Sequence, residues 1–320
     1  MDGPTLRSYS QIGKSLLGMQ TTLPLLALIA SYLGHLHPVG DSLAVFRQYL
    51  IILTGGSIFL MVYLGRRYLA VFALTVSIMA STPFLLQLLF YERMEQSDFV
   101  FYQKNMSVDL ADQQAFAEDL RSVNPDFAAF QEASSKNRAL IDSFADILPF
   151  VHYCGANRWT GIAIASRWPV IRGTAKCDPD VRTAYMQVDT PKGPIWIVSI
   201  HQKWPWPSAQ PDEKETFLSL LKGLKGDVVV AGDFNMVPWS YTMQEYEEAA
   251  NASMIPGLRG SFPLTWDVFW IPIDHILLAD GYRGSAEMRD FFGSDHRGIV
   301  GRFNVHPISR IVPVKSDAAR

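Results

Sequence analysis

The sequence predicts an α/β protein. Two mixed β-sheets pack face to face with helices on their outer sides, a four-layer α/β sandwich, and helices apolar enough to cross a membrane precede it. Three observations carry this reading. The first ninety residues are almost free of charge. The rest alternates strand-like and helical runs, with hairpin-like pairs in the middle. Side chains able to bind metal or move protons fall at the ends of the strand-like runs.

The chain has 320 residues, enough for one large domain with an appendage or for two domains, and 48% of them are hydrophobic. The charges are unevenly spread. Beyond Tyr91 lie 23 basic and 29 acidic residues, a net of −6. A domain that grips long nucleic acid through many phosphates carries a basic surplus; this one has none, which argues against tight polyanion binding but not against cutting one. The two cysteines, Cys154 and Cys177, form no CxxC pair, so a cysteine zinc site is unsupported. They read either as one disulfide, if the domain faces an oxidising compartment, or as two small buried residues.

Residues 1–91 read as a membrane anchor of about three helices. Leu16–Leu33 is interrupted by Gln20, Thr21, Thr22 and Pro24; Leu43–Leu64 has Arg47 near one end, where it could snorkel to the interface; Leu69–Tyr91 has no charge. A helix needs about 20 apolar residues to span a bilayer, which the second and third stretches supply and the first supplies marginally. Buried helices of a soluble core and, for the first stretch, a signal peptide are the alternatives. Arg7 and Lys14 flank the start, and Arg66 and Arg67 fill the turn between the second and third stretches. With both sites on the cytoplasmic side, the chain leaves the third helix on the far side. The expected location is a bacterial inner membrane, multi-pass, with the domain that follows in the periplasm.

The elements after residue 92 follow from periodicity. Asp98–Asn105 reads as a strand, and Asp109–Val123 as a helix ending at Asn124-Pro125. Phe127–Phe130 is a short apolar strand running into Glu132, and Ala139–Leu148 a helix. Phe150–Cys154, Gly161–Ala165, Val181–Val188 and Ile195–Ile200 are strand-like. Lys214–Leu224 shows one apolar helical face, Val228–Ala231 a buried strand, and Ser240–Ala250 a helix in which Thr242 and Glu245 could form a capping box. Ile273–Ala279 and Ile299–Phe303 close the domain, expected over residues 92–305, and 306–320 read as a tail.

Asn105 ends the first strand, Glu132 follows the second, and His201 ends Ile195–Ile200. Asp233 and Asn235 follow Val228–Gly232, Asp274 and His275 lie in Ile273–Ala279, and Asp295 and His296 precede the last strand. The segments NPDFAAFQE (124–132), GIAIASR (161–167), GDFN (232–235), IDH (273–275) and GSDHR (293–297) together resemble the motifs of the endonuclease/exonuclease/phosphatase superfamily, the DNase I-like fold, over nearly all of residues 98–304. The set is also similar to the membrane-anchored bacterial branch of that superfamily. Any one motif occurs by chance; four or more in this order do not.

The resemblance implies a metal-dependent hydrolase of phosphodiester or phosphomonoester bonds. Such chemistry needs a metal to neutralise the phosphate, a base for water and an acid for the leaving oxygen. An oxygen-rich site with few ligands suits Mg²⁺ or Mn²⁺. By resemblance Glu132 is the principal metal ligand, with Asn105 and Asp295 assisting. Asp233 positions or deprotonates the attacking water, and Asn235 holds a phosphate oxygen. His296 contacts the phosphate as acid or base, Asp274 sets the tautomer of His296, and His201 is a further donor to the phosphate. In an extended segment Asp233 and Asn235 point the same way, with Phe234 turned into the core. His275, His152, His35 and His37 read as structural or loop residues, and Arg182 as a surface arginine, with reach to a phosphate as its alternative.

Substrate identity is open at this level. Trp204 and Trp206 in a stiff Pro-containing loop, Trp266, Trp270, Phe291 and Phe292 surround the motif segments. They could stack on bases, meet lipid at the bilayer interface, or simply pack. Three functions follow: a nuclease, a phosphoesterase of a lipid head group or small phosphorylated metabolite, or an inactive membrane-bound scaffold. The expected partners are the phosphate ester and the bilayer; no protein partner is expected.

Overall fold

In the computed structural model, which describes residues 4–89, 93–155, 161–265 and 268–305, the chain opens with three long helices. These are α1 (Pro4–Ala30), α3 (Arg47–Tyr63) and α4 (Arg67–Leu89), with a short α2 (Val39–Ala44) between the first two. Leu25, Met61, Ala70 and Ala73 meet in a small core among the long helices, and Arg66 donates to the Gly18 carbonyl at 3.2 Å. Their other faces expose large apolar side chains, among them Phe59, Val62, Val71 and Ile78. Among the described residues one stretch, Arg67–Leu85, is long and apolar enough to cross a membrane; Ser15–Ala30 and Arg47–Tyr63 are apolar but shorter. The expected continuous run Leu43–Leu64 is divided between α2 and α3, which shortens the helix to 17 residues.

The sandwich follows. Its elements are β1 (Phe99–Asn105), α5 (Gln113–Val123), β2 (Phe127–Gln131), α6 (Arg138–Asp142), β3 (Phe150–Cys154), β4 (Ile162–Ser166), β5 (Lys176–Asp178), β6 (Thr183–Thr190), β7 (Gly193–His201), α7 (Gln210–Gly223), β8 (Asp227–Asp233), α8 (Tyr241–Ala250), β9 (Ala252–Met254), β10 (Phe262–Thr265), β11 (Phe269–Ile271), β12 (Asp274–Ala279), β13 (Arg283–Met288) and β14 (Ile299–Asn304). One sheet has the order β13-β14-β1-β2-β4-β3 and the other β5-β6-β7-β8-β12-β9; β10 and β11 form a separate hairpin. Each sheet holds one parallel pair at its centre, β1 with β2 and β7 with β8. A parallel pair requires a crossover, which α5 and α7 provide.

Strand alternation sorts the apolar residues into layers. Phe101, Phe127, Ile164, Met186, Ile197, Val229 and Ile276 fill the space between the sheets. Phe116 and Leu120 of α5 cover the outer face of the first sheet, and Phe217, Leu221 and Tyr246 of α7 and α8 cover that of the second. The result is the four-layer sandwich expected. Helix Ala139–Leu148 is shorter than its spacing suggested, its second half being turns. The capping box at Thr242 and Glu245 does not form. Ser240 caps α8 by accepting from the Met243 amide at 3.1 Å, and the Thr242 hydroxyl donates to Asp41 at 2.6 Å. The domain boundary expected at 91/92 and the tail 306–320 lie outside the described residues.

The segment between α1 and α3 is seated on the sandwich. Ala44, Val45 and Tyr49 pack into the core layer of α7 and α8. Asp41, 5% exposed, accepts from the amides of Tyr241 and Thr242 at 2.8 and 3.0 Å. Trp239 Nε1 donates to the Ala44 carbonyl at 2.7 Å. Arg47 does not snorkel: it is 4% exposed, donates to the Trp239 carbonyl at 3.0 Å, and is held by the hydroxyl and carbonyl of Ser31. A buried guanidinium has five donors to satisfy, and here carbonyl and hydroxyl oxygens take three of its nitrogens.

Candidate active site

Register places the motif residues. His201, Asp233 and Asp274 are direct cross-strand partners at the ends of β7, β8 and β12, and so form one row on the second sheet. On the first sheet Asn105 pairs with Gln131, which hands the chain to Glu132. The two sheet ends face each other, and the loop before β14 lays Asp295 and His296 across them. All eight expected residues come together: Asn105, Glu132, His201, Asp233, Asn235, Asp274, Asp295 and His296.

Asp274 is fully buried and accepts from His296 Nδ1 at 2.8 Å and from Gln103 at 2.9 Å. Its main-chain amide donates to the Ser261 hydroxyl at 3.2 Å. The other imidazole nitrogen of His296, Nε2, lies 3.7 Å from Asp233. Burial alone would lower the His296 pKa, but Asp274 and Asp233 outweigh it and hold the imidazolium up to about 9. Burial likewise opposes ionisation of Asp274, and the charge of His296 and the hydrogen bonds bring it below the usual carboxylate range.

Asp233 is 1% exposed, and burial pushes its carboxyl up to about 7, with His296 pulling the other way. It accepts from Asn105 at 3.2 Å and from the Asn235 amide at 2.9 Å. Asn235 Nδ2 donates to the Gln202 carbonyl at 2.8 Å, and Phe234 is buried in the core as strand alternation required. His201 Nε2 lies 3.6 Å from Asp233 and 4.0 Å from Glu132. Burial and then Arg182 drive the His201 pKa down to about 3, so this imidazole is neutral.

Glu132 is half-buried; burial raises its pKa, and the nearby Asp295 adds to the rise. The Glu132 and Asp295 carboxylates, with the Asn105 amide 3.4 Å from Glu132, make an oxygen-rich set that fits a hard divalent cation. Ser107 donates to Asp295. Asp233, Asp274 and His296 also lie close enough to share an ion, but Asp274 is already committed to His296 and Gln103, so the Glu132–Asp295 side fits a metal better.

The backbone explains two glycines. A Cβ on Gly232 would stand 2.1 Å from the Ile200 carbonyl oxygen, and Gly293, at φ +80, would press against Ala111. Glu132, Arg182 and Asn235 adopt left-handed conformations at φ 52, 46 and 48. Such residues gather where surrounding structure over-determines them.

Several participants were not singled out by the sequence reading, and Arg182, read first as a surface arginine, is only 27% exposed. Its Nε and Nη2 are buried without a hydrogen-bond partner, 3.8 Å from Glu213 at the nearest carboxylate, and with His201 it lines a cavity of about 250 Å³ beside the disulfide. Lys104 lies fully buried under the loop before β14, and Gln103, Gln131 and Ser199 form a chain of hydrogen bonds between the sheets. Phe262 rests against His296, ring centroids 4.8 Å apart. A lysine inside the strand Asp98–Asn105 was the one available signal. His275, as expected, is structural: its Nε2 donates to the Met236 carbonyl at 2.8 Å. Cys154 and Cys177 form a disulfide, and Trp204 and Trp206 are exposed.

Residues 103–296 match the Endonuclease/Exonuclease/phosphatase family. Among solved structures, an endonuclease/exonuclease/phosphatase family protein from Leptotrichia buccalis is 14% identical with a TM-score of 0.52, covering 65% of this chain and 100% of its own. A humanized D. rerio TDP2 is 16% identical with a TM-score of 0.51, covering 65% of this chain and 99% of its own. Caenorhabditis elegans TDP2 is 13% identical with a TM-score of 0.51, covering 64% of this chain and 97% of its own. These likenesses speak to the fold. No curated protein matches the sequence. The matched span takes in all eight site residues, and the chain belongs to the endonuclease/exonuclease/phosphatase family as a metal-dependent hydrolase of phosphate esters.

Proposed function

We propose that this protein is a membrane-anchored phosphodiesterase that uses Mg²⁺ or Mn²⁺, with nuclease action as one form of that activity. The observation that carries the reading is the Asp274–His296 pair at 2.8 Å, with Asp233 beyond it. Two groups of opposite role sit side by side, one kept protonated and one able to accept a proton near neutrality.

Glu132 and Asp295 would hold the metal, with Asn105 orienting Glu132. Bound there, it supplies charge neutralisation at the phosphate. Asp233, its pKa raised to about 7, takes the proton of the attacking water. His296, an imidazolium locked by Asp274 in one orientation, donates from Nε2 to a phosphoryl or leaving oxygen. His201, neutral, offers its Nε2–H, and Arg182, which lines the same cavity, adds positive charge beside an anion. Asn235 holds the Asp233 carboxylate through its main-chain amide.

The anchor reading rests on α4, on the apolar faces of α1 and α3, and on the basic residues of the sequence, Arg7 and Lys14 near the start and Arg66 and Arg67 between the second and third stretches. The disulfide suits an oxidising compartment, which supports a periplasmic catalytic domain on a bacterial inner membrane.

The test is turnover of bis(p-nitrophenyl) phosphate and nicking of plasmid DNA by the full chain in nanodiscs, with Mg²⁺ or Mn²⁺, beside Glu132→Ala and His296→Ala. Metal-dependent phosphodiester cleavage lost in both variants is expected. Cleavage that survives chelation, or that both variants retain, would overturn the reading.

A further inference from the structure

The β10–β11 hairpin leaves the sandwich at the active site and ends against α3. At its start the Phe262 ring lies 4.8 Å from that of His296, tilted against it, and 5.7 Å from that of Trp204, edge to face. Two residues on, where a bulge interrupts the pairing, Leu264 turns into a groove of about 650 Å³. Bulges re-aim side chains in this way beside functional sites. The groove's lining is Leu264 and Phe269 of the hairpin with Phe46, Tyr49, Ile52 and Leu53 at and within the first turns of α3. None carries a charge. The two walls are fastened: Tyr49 Oη and Gln48 Nε2 both donate to the Trp270 carbonyl, at 2.6 and 3.1 Å, and Tyr49 meets Phe269 edge to face. Phe269 and Val268 at the hairpin tip are exposed, as are Ile52 and Leu53.

An apolar groove open to solvent costs free energy in water unless hydrocarbon covers it. Here one wall belongs to a helix that packs beside α4, the stretch long enough to span a membrane. The other wall is continuous with the strand that touches the catalytic histidine. The rest of the domain offers no basic surplus for a polyanion.

We propose that this groove takes the hydrocarbon chain of a membrane lipid whose phosphate ester is the substrate. The chain leaves the bilayer along Ile52 and Leu53 of α3, passes Leu264 and Phe269, and brings the phosphorus to the site beside Phe262 and His296. Tyr49 and Trp204 mark the boundary between the hydrocarbon path and the wet site. The proposal rests on the phosphodiesterase reading above and assigns its substrate class.

The test compares two diesters with the same leaving group, p-nitrophenyl butyl phosphate and p-nitrophenyl hexadecyl phosphate, with the full chain in nanodiscs and metal supplied. The preference for hexadecyl over butyl in kcat/KM is measured in the natural protein, in Ile52→Trp, which fills the groove, and in Phe269→Ser, which opens it. Partitioning into the nanodisc is common to all three proteins, so it cancels. The expected result is a preference that falls at least about tenfold in both variants, the equivalent of fewer than two buried methylenes. An unchanged preference in both variants, with the butyl ester still hydrolysed, overturns the lipid assignment and leaves the phosphodiesterase intact. Plasmid cleaved faster than the hexadecyl ester overturns it in favour of nucleic acid. Failure to hydrolyse either ester, with His296→Ala no different from the natural protein, removes the phosphodiesterase reading and the lipid assignment with it.

Discussion

The ammonium of Lys104 donates to the main-chain carbonyl of His296, and to those of Phe291 and Asp290 at 2.8 and 3.4 Å. A lysine with no exposed surface is thus the peg on which the loop carrying Asp295 and His296 hangs. Burial draws its pKa down to about 7, against the pull of Asp274 and Asp295. Replacing it by methionine keeps the volume and strips three carbonyls of their donor. Lys104→Met should lower kcat by about ten- to a hundredfold through a misplaced imidazole, and stability by about 1–3 kcal/mol. Kinetics on a soluble diester with a parallel melting curve checks this; a kcat equal to that of the natural protein would mean the loop holds itself.

Asp274→Asn leaves the shape of the His296 partner and removes its charge. The imidazole then loses the carboxylate that keeps it protonated. Turnover should fall by about 10²–10⁴-fold, with KM changed far less, because the pair acts on the proton and not on binding. A loss confined to KM would assign Asp274 to substrate positioning.

Metal removal should abolish turnover, and Mg²⁺ or Mn²⁺ added back should restore it. In Glu132→Gln, which keeps the amide contact to Asn105 within reach, restoration should need a metal concentration higher by about tenfold or more. Titration of activity against free metal reads this directly. Identical titration curves for the two proteins would remove Glu132 from the metal site.

Asp41 reaches from the segment between the first helices to the first turn of α8, where it accepts from two amides and the Thr242 hydroxyl. Asp41→Ala removes all three acceptor contacts and should cost about 1–3 kcal/mol. Hydrogen exchange at the Tyr241 and Thr242 amides should accelerate in the variant. Unaltered protection would show that Ser240 alone holds this helix end.

His275 gives a pH signature. Buried at 1% exposure, its pKa is driven by burial from 6.5 down to about 4. The unfolded chain therefore binds a proton that the folded one refuses. The stabilisation from the neutral ring is complete above about pH 6.5 and fades as the pH drops toward 4, on the order of 3 kcal/mol in all. Urea midpoints at pH 7 and 4.5 should differ less in His275→Gln, which retains a donor for the Met236 carbonyl, than in the natural protein.

Legibility in the sequence tracked chemistry more closely than architecture. Six of the eight site residues were readable because they belong to short motifs, and Asn105 and His201 because each ends a strand-like run, so strand register could collect them. Gly232 and Gly293 are the same kind of signal, positions where backbone or a neighbour leaves no room for a Cβ. Of the four edge strands, Phe150–Cys154 was readable and the other three were not. Arg283–Met288 and Ala252–Met254 mix small, polar and charged residues because an edge needs no continuous apolar face. The hairpin at 262–271 hides behind a proline and a bulge. Arg182, Gln103 and Lys104 owe their importance to partners far away in sequence, and nothing local distinguishes a buried charge from a solvated one. The seat between residues 31–49 and the sandwich is invisible for the same reason: Asp41 carries no local signal, and Arg47 reads as a residue that snorkels to the interface until Ser31 and Trp239 come within reach.

That seat bears on how the enzyme encounters its substrate. A catalytic domain joined to its anchor by one slack stretch of chain tumbles and searches a hemisphere. This domain is fastened twice, by the chain that follows α4 and by the contacts of Asp41, Arg47, Gln48 and Tyr49. In the membrane-anchored reading it would keep one attitude, its mouth at a constant height over the lipid. Its rate would then respond to molecules per unit area, delivered by lateral diffusion in two dimensions, and very little to what is dissolved in the fluid above.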